Sequence, residues 1–326
     1  MLTREAINDA AARIAALAVR TPLLESPTLN RLLGGRILVK AEMLQRTGSF
    51  KFRGAYNHLS RIPGEERGRG VVAFSSGNHA QAVAAAAQLC GIAARIVMPA
   101  GAPAVKLART RNFGAEVVRF PGDRVEMEAF AFDLAAKHGA VMVRPFDDVR
   151  IMAGQGTVGG EIAEQCAAAD AVPDAVLVPC SGGGLVAGIA TALASDLPRA
   201  EIYAVEPEGF DDTRRSLLAG ERLSNRPGAA SICDALQVPR PGELTFAVNR
   251  RRLAGALAIA DAETERAMAA LFSHLRLVAE PGGAIALAAC TGGAYPCRDR
   301  TVVVVASGGN VDPARFAAAI SRHGAA

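Results

Sequence analysis

The stretch Ala175–Ser195, AVLVPCSGGGLVAGIATALAS, decides how the chain folds. Its 21 residues carry no charge, long enough for a membrane-crossing helix. Pro179 and the run Gly182–Gly184 argue against that, because proline removes a helix hydrogen bond and glycine weakens a helix interior. The stretch divides instead into a short apolar strand, Ala175–Val178, and a small-residue helix, Leu185–Ala194, joined by a glycine turn. Strand, glycine turn, helix is the opening half of a βαβ unit, and it predicts a parallel sheet.

The pattern repeats outward. Further apolar runs predict strands over Val71–Phe74, Arg95–Met98, Glu116–Arg119, Val141–Val143, Ile202–Val205 and Thr301–Ala306. Between them lie predicted helices over Ala80–Leu89, Ala104–Phe113, Arg124–Lys137, Gly154–Cys166, Ala262–Leu275 and Ala284–Ala289. The helix at Arg124 carries a start signal, Asp123 with Glu126 three residues on, and a stop signal, His138-Gly139. The fold class is α/β, with mostly parallel twisted sheets and helices on both faces. Ala219–Thr245 shows little periodicity and reads as an extended surface connection.

At 326 residues the chain exceeds what one core usually holds, so one large or two medium domains are expected. Net charge is +4 with the signs interleaved, and there are three Tyr and no Trp. Neither fact suits a nucleic-acid surface, and no membrane association is expected. The six cysteines form no C-x-x-C pair, so free thiols are expected. The N-terminus has charge early and no signal-peptide core, which points to the cytoplasm.

Ligands of such sheets sit where strands run into helices, and four such loops carry chemistry. Ser75-Ser76-Gly77-Asn78-His79 opens a helix, whose unpaired N–H groups suit a carboxylate or phosphate. Ser181-Gly182-Gly183-Gly184 lets backbone amides approach a phosphate. With Ala187 and Glu206 it also fits a dinucleotide fingerprint, the basis of a rival reading as a nicotinamide dehydrogenase. Glu206, Asp211 and Asp212 make a hard-cation site, or else Asp211 or Asp212 caps the helix that follows. Ser307-Gly308-Gly309-Asn310 follows a fully apolar strand and suits close approach to a flat ligand. A fifth feature stands apart. Only four of the 36 basic residues are lysines (40, 51, 106 and 137), and Lys51 sits between two phenylalanines behind Thr-Gly-Ser. Lysine can act as an amine nucleophile or base where arginine cannot.

An amine, a phosphate cup, an anion cup and a hydroxyl below a central strand are what pyridoxal phosphate needs. The segments TGSFKFRGA, SSGNHAQAVA, AGQGTVGGEIAEQ, PCSGGGLVAGIA, AVEPEGFDD, SICDALQVP, EPGGAIALAA and SGGNVD occur in one order from about Thr21 to Pro313. As a set they resemble the serine/threonine dehydratase (threonine ammonia-lyase) and serine racemase family, fold type II pyridoxal-phosphate enzymes with a tryptophan synthase β-like, two-domain architecture. The resemblance implies a large cofactor-binding domain of residues 1–69 and 147–326 and a small mobile domain of residues 70–146.

It also implies roles. Lys51 would bind pyridoxal 5'-phosphate covalently, with Phe50 beside the ring and Asn78 on the phenolic oxygen. Ser181, Gly182, Gly183, Gly184 and Leu185 would hold the phosphate, and Ser307 would face the ring nitrogen. Ser75, Ser76, Asn78 and His79 would receive the substrate carboxylate, with Arg124 as a helper. Ser76 lies where the racemase has a second acid/base. Glu206, Asp212 and the carbonyl of Phe210 match a divalent-cation site for Mg²⁺ or Ca²⁺. The activity implied is β-elimination from L-threonine or L-serine to a 2-oxo acid and ammonia; racemisation of serine or dehydration of 3-hydroxyaspartate are the alternatives. The partner is a small-molecule amino-acid substrate, and a homodimer or homotetramer is expected. Ser181 and Ala235 stand where relatives often have Gly, which bears on substrate range. The chain ends 16 residues after Asn310, so a stand-alone, catabolic role is expected.

Overall fold

The computed structural model describes residues 1–102 and 104–324. In chain order the strands are β1 (Leu23–Glu25), β2 (Arg36–Ala41), β3 (Val71–Phe74), β4 (Ala94–Pro99), β5 (Glu116–Phe120), β6 (Val141–Met142), β7 (Ala175–Pro179), β8 (Glu201–Pro207), β9 (Gly255–Ile259) and β10 (Thr301–Ala306). They form two sheets. The larger has the order β1-β2-β10-β7-β8-β9, the smaller β5-β4-β3-β6. Every pairing is parallel except β1 with β2. Strand β10 lies inside the larger sheet, with Val304 opposite Val39 on one side and Leu177 on the other. Helices cover both faces, so its TVVVVA run is buried from Val302 onward.

All seven predicted strands are present, as are the predicted helices, several of them longer than expected. Helix Asn78–Cys90 starts two residues early and helix Val149–Ala168 runs to 20 residues. The start signal at Asp123 is a complete capping box, and Gly139 ends that helix in the left-handed conformation. No helix among the described residues is long and apolar enough to cross a membrane.

Three strands lay outside the sequence expectation: β1, β2 and β9. Strand β9, GALAI, has Gly or Ala at three of its five positions, residues depleted in strands. Strand β2, RILVKA, carries Arg36 and Lys40. Lys40 is fully buried, and the reason is a charge cluster. Its amine donates to Glu161 Oε2 (2.6 Å), Gln165 Oε1 (2.9 Å) and the Thr21 carbonyl (2.6 Å). Arg53, also fully buried, donates to Glu42 from Nε and Nη2 (2.8 Å each). It also donates to Glu161 from Nη1 (2.7 Å) and Nη2 (2.9 Å). Thr157 Oγ1 and the Val19 carbonyl take further bonds from the guanidinium. Two cations and two carboxylates thereby join β2, helix Lys51–Leu59 and helix Val149–Ala168 in one neutral, hydrogen-bonded unit.

The same two helices touch at Gly54 and Gly154. A Cβ on Gly154 would lie 2.6 Å from the Gly54 Cα and 2.6 Å from the Arg53 carbonyl oxygen. This close approach holds helix Lys51–Leu59 rigidly, and Lys51 is its first residue.

Candidate active site

Lys51 is placed from two directions. Phe50 N–H donates to the Ser307 carbonyl (3.1 Å), and Ser49 bridges Gly308, so the loop before the lysine is stitched to the end of β10. The helix that starts at Lys51 is anchored behind by Arg53. The Lys51 amine then reaches into a cleft between the two sheets, where it donates to the Pro145 carbonyl (2.7 Å). Burial, with a smaller push from the Arg124 charge, brings its pKa down to about 7. A lysine so placed is substantially neutral near pH 7 and able to attack a carbonyl or accept a proton.

The glycine turn faces this amine. Gly183 has φ of 90° and precedes the first residue of helix Gly184–Asp196, which no side chain caps. Thr245 Oγ1 donates to the Gly182 carbonyl (2.6 Å), which fixes the orientation of that peptide. A Cβ on Gly183 would lie 2.7 Å from Asn249 Nδ2 and 3.0 Å from Thr245 Oγ1. Ser181, which stands where glycine was expected, uses its hydroxyl to accept from the Val238 N–H (3.2 Å) and so pins the segment beside the cleft.

The loop after β3 supplies the third wall. Gly77 is the N-cap of helix Asn78–Cys90 and no side chain caps it, so capping does not account for Ser75, Ser76 and Asn78. Ser75 Oγ accepts from the Gly77 N–H (3.1 Å). His79 is buried, and its Nε2 bonds the Val143 carbonyl (3.0 Å) while Nδ1 has no partner. Burial and the Lys51 charge push its pKa down to about 3. Its ring is therefore neutral, and what His79 offers an anion is its backbone N–H. Ser307, 5% exposed, lies at the end of β10 on the same cleft.

The cleft is walled by residues from the chain around both sheets. Phe50, Lys51, Ser75, Ser76, Asn78, His79, Arg124, Ser181, Gly182, Gly183, Gly184, Leu185 and Ser307 all line it. The expected cation ligands do not. Glu206 accepts from the Thr213 N–H (2.9 Å) and the Arg214 N–H (2.8 Å), so it, and not Asp211 or Asp212, caps helix Asp212–Ala219. Asp212 Oδ1 accepts from Asn225 (2.6 Å), and its buried Oδ2 has no partner. Glu206 is thus buried in the cap of that helix and does not line the cleft beside the glycine turn, as the dinucleotide reading would require. Among the described residues no group of three or more His, Cys, Asp or Glu side chains could hold a metal.

Residues outside the sequence expectation also line the cleft: Glu280, Lys106 and Asp234. Lys106 pairs with Asp234 across it. The segment expected to be a surface connection supplies Asp234, Ala235, Leu236 and Val238 to the wall and buries Cys233 fully. Glu280 had one sequence signal, a lone acid ahead of the uncharged run PGGAIALAA.

A family model described as "Pyridoxal-phosphate dependent enzyme" matches residues 14–308. The chain belongs to that family. The enzyme is 40% identical over 316 residues to the L-threo-3-hydroxyaspartate ammonia-lyase of Saccharomyces cerevisiae, covering 97% of this chain and 95% of that one. Among solved structures it is similar to the T.th. threonine deaminase, with a TM-score of 0.90 and 41% identity over 95% of this chain and 99% of that one. It is also similar to maize serine racemase, with a TM-score of 0.92 and 34% identity over 99% and 98%.

The cleft fits the cofactor on its own evidence: a shielded amine of lowered pKa, an uncapped helix start behind a left-handed glycine, and a neutral hydroxyl at the centre of the sheet. Two outcomes follow. Gly183→Ala is expected to weaken pyridoxal phosphate binding at least ~10-fold, since strain at positive φ and the contacts with Asn249 and Thr245 displace the cradle; titration of the apoenzyme checks it. The rate at which the apoenzyme captures pyridoxal phosphate is expected to rise with pH through about 7 and then level off, because only the neutral Lys51 amine attacks. Stopped-flow absorbance reads that rate. A capture rate flat across pH 7 would contradict the lowered pKa.

Proposed function

We propose that this enzyme is an ammonia-lyase for 3-hydroxy-α-amino acids, acting on L-threonine or L-serine. The substrate gives a 2-oxo acid and ammonia; the water lost with the β-hydroxyl is returned in the hydrolysis that frees ammonia. The observation that carries the reading is the Lys51 amine, held near neutrality inside a cleft whose other walls are anion-binding backbone. The relatives named ammonia-lyase and deaminase support it.

Lys51 would hold the cofactor, with the amides of Ser181–Leu185 on its phosphate, Asn78 on its phenolic oxygen and Ser307 at its ring nitrogen. When bound, pyridoxal phosphate supplies a sink for the electron pair left at the substrate Cα. The neutral Lys51 amine would take the Cα proton. Backbone N–H groups of the Ser75–His79 turn bind the substrate carboxylate, and Ser76 places a hydroxyl in the same cleft for a second proton transfer. Residues 70–146, which carry the smaller sheet, move as the unit that closes the cleft and excludes water. Arg124 adds a cation to the cleft beyond the Lys106–Asp234 pair. It favours a second reading, in which the substrate carries a β-carboxylate as 3-hydroxyaspartate does.

The purified enzyme given L-threonine, L-serine and L-threo-3-hydroxyaspartate, scored for ammonia, 2-oxo acid and D-enantiomer, decides among these. We expect 2-oxo acid and ammonia in equal amounts from L-threonine. D-Enantiomer without ammonia would replace the lyase reading with a racemase. Turnover confined to hydroxyaspartate would assign Arg124 to a β-carboxylate.

Glu206, Asp212 and the Phe210 carbonyl would take Mg²⁺ or Ca²⁺, as oxygen ligands do. Burial and the Asp212 charge push the Glu206 carboxyl well up, and burial pushes Asp212 to about 7. Groups with raised folded-state pKa hold more protons folded than unfolded, so their contribution to stability is lost as pH rises through about 7. A bound cation removes that loss. The gain in thermal midpoint on adding Mg²⁺ or Ca²⁺ should therefore be larger above pH 7 than below; no gain at either pH would dismiss the site.

A further inference from the structure

We propose that Glu280 and Asn310 lock the polarity of the Asn78 side-chain amide, so that an N–H and not the carbonyl is left to face the cleft. The proposal rests on reading the cleft as the cofactor site. Asn78 Nδ2 donates to Glu280 Oε1 (2.5 Å), and Asn78 Oδ1 accepts from Asn310 Nδ2 (2.7 Å). An amide has two N–H groups and one carbonyl. With one N–H spent on Glu280 and the carbonyl occupied by Asn310, the group left over is an N–H.

The two ends of an asparagine amide have nearly the same shape, so packing alone does not choose between them. Hydrogen bonding does. Turned over, Asn78 would set its carbonyl against Glu280 and its N–H₂ against the N–H₂ of Asn310. Asn310 cannot turn to follow. Its Nδ2 also donates to the Thr47 carbonyl (2.9 Å) and its Oδ1 accepts from Arg109 Nη1 (3.1 Å). Glu280 precedes helix Pro281–Thr291 and is 4% exposed. Burial and the Asp234 charge push its pKa up to about 7, against the hydrogen bond from Asn78 and the Lys106 charge. Protonated or not, it keeps an oxygen that accepts from Asn78, so the lock survives its titration.

The lock also spans the cleft. Asn78 and Arg109 belong to the chain around the smaller sheet, whereas Thr47, Glu280 and Asn310 belong to the chain around the larger one. Thr47 lies four residues before Lys51, so one chain of bonds sets the donor for the cofactor's phenolic oxygen and braces the loop that presents the amine. Glu280 and Asn310 act through Asn78 and are positioning residues. Nothing in this role requires either to touch substrate.

The test uses apoenzyme titrated with pyridoxal phosphate, together with the absorption maximum of the loaded enzyme. Glu280→Met is expected to bind pyridoxal phosphate about tenfold more weakly and to shift the absorption band, as loss of one charge-assisted hydrogen bond implies. Asn78→Ala should do the same, and Asn78→Ala/Glu280→Met should be no weaker than Asn78→Ala alone, because the lock has nothing left to act on. Glu280→Gln keeps an acceptor oxygen and should bring affinity back to within about threefold of the parent. Asn310→Asp, which presents only acceptors to Asn78 Oδ1, carries the same test if Glu280→Met does not fold, and should weaken binding about tenfold. Parental affinity with an unmoved band in Glu280→Met or Asn310→Asp overturns the lock, as do losses that multiply in the double variant. A parent enzyme that takes up no pyridoxal phosphate at Lys51 overturns the cofactor-site reading, and the lock falls with it.

Discussion

Lys51→Ala is expected to lower the rate of ammonia release at least ~10⁴-fold, the upper end of what one positioned acid–base group contributes. The loss reaches that end because one amine holds two jobs. In the proposed function it would be both the nucleophile that secures the cofactor and the base that takes the Cα proton. Both need the neutral form, which burial supplies near pH 7. Lys51→Arg separates charge from reactivity. Arginine keeps the cation and most of the reach but does not deprotonate, so it should be as inactive as alanine. The check is steady-state ammonia release, with borohydride reduction of the parent enzyme and mass spectrometry of its peptides. Label on any residue other than Lys51, or a variant within ~10-fold of the parent rate, would end this interpretation.

Arg53→Met is expected to cost the apoenzyme about 3–5 kcal/mol, the usual consequence of removing one partner from a buried ion pair. Methionine fills a comparable volume, so the loss is electrostatic and not a cavity. Glu42, fully buried, loses both of its bonds to the guanidinium, and Glu161 keeps only Lys40. Glu161 shows the balance directly: burial alone would raise its pKa, yet the hydrogen bonds from Arg53 and Lys40 hold it below the ordinary carboxylate range. Against a total stability of about 5–15 kcal/mol, the variant lies near the edge of folding. Arg53→Lys should recover only part of the loss, because an ammonium cannot bridge two carboxylates in a planar fork. Urea unfolding of apoenzyme reads both numbers. A change under ~1 kcal/mol in Arg53→Met would mean that the cluster is solvated and does not brace the lysine helix.

The two predictions differ in how visible their residues were. Lys51 was legible because arginine fills nearly every other basic position and the residues around it form a compact motif. The glycine turn and the Ser75–His79 turn were legible because their chemistry is backbone chemistry, written in glycines and small polar residues at strand ends. Arg53 lies only two residues from Lys51 and gave no such signal. Its partners are 11 and 108 residues away in the chain, and no local pattern marks an arginine that will be fully buried. Strand β2 was missed for the same cause: Lys40 breaks its apolar run, and only the distant Thr21, Glu161 and Gln165 make that lysine tolerable in a sheet interior.

By itself, the sequence determined the alternation of strand and helix, the parallel sheets, the loops that gather at strand ends, and the residues that carry the amine and the anion-binding turns. Each of these depends on neighbours a few positions apart, through periodicity, proline and glycine breaks, and capping. The tertiary structure alone decided that Glu280, Lys106 and Asp234 join the cleft, that His79 is neutral, and that Glu206 caps a helix. It also set which end of the Asn78 amide is free. Those properties arise from burial and from hydrogen bonds between residues far apart in the chain, and they come into being only when the two sheets and their helices are packed together.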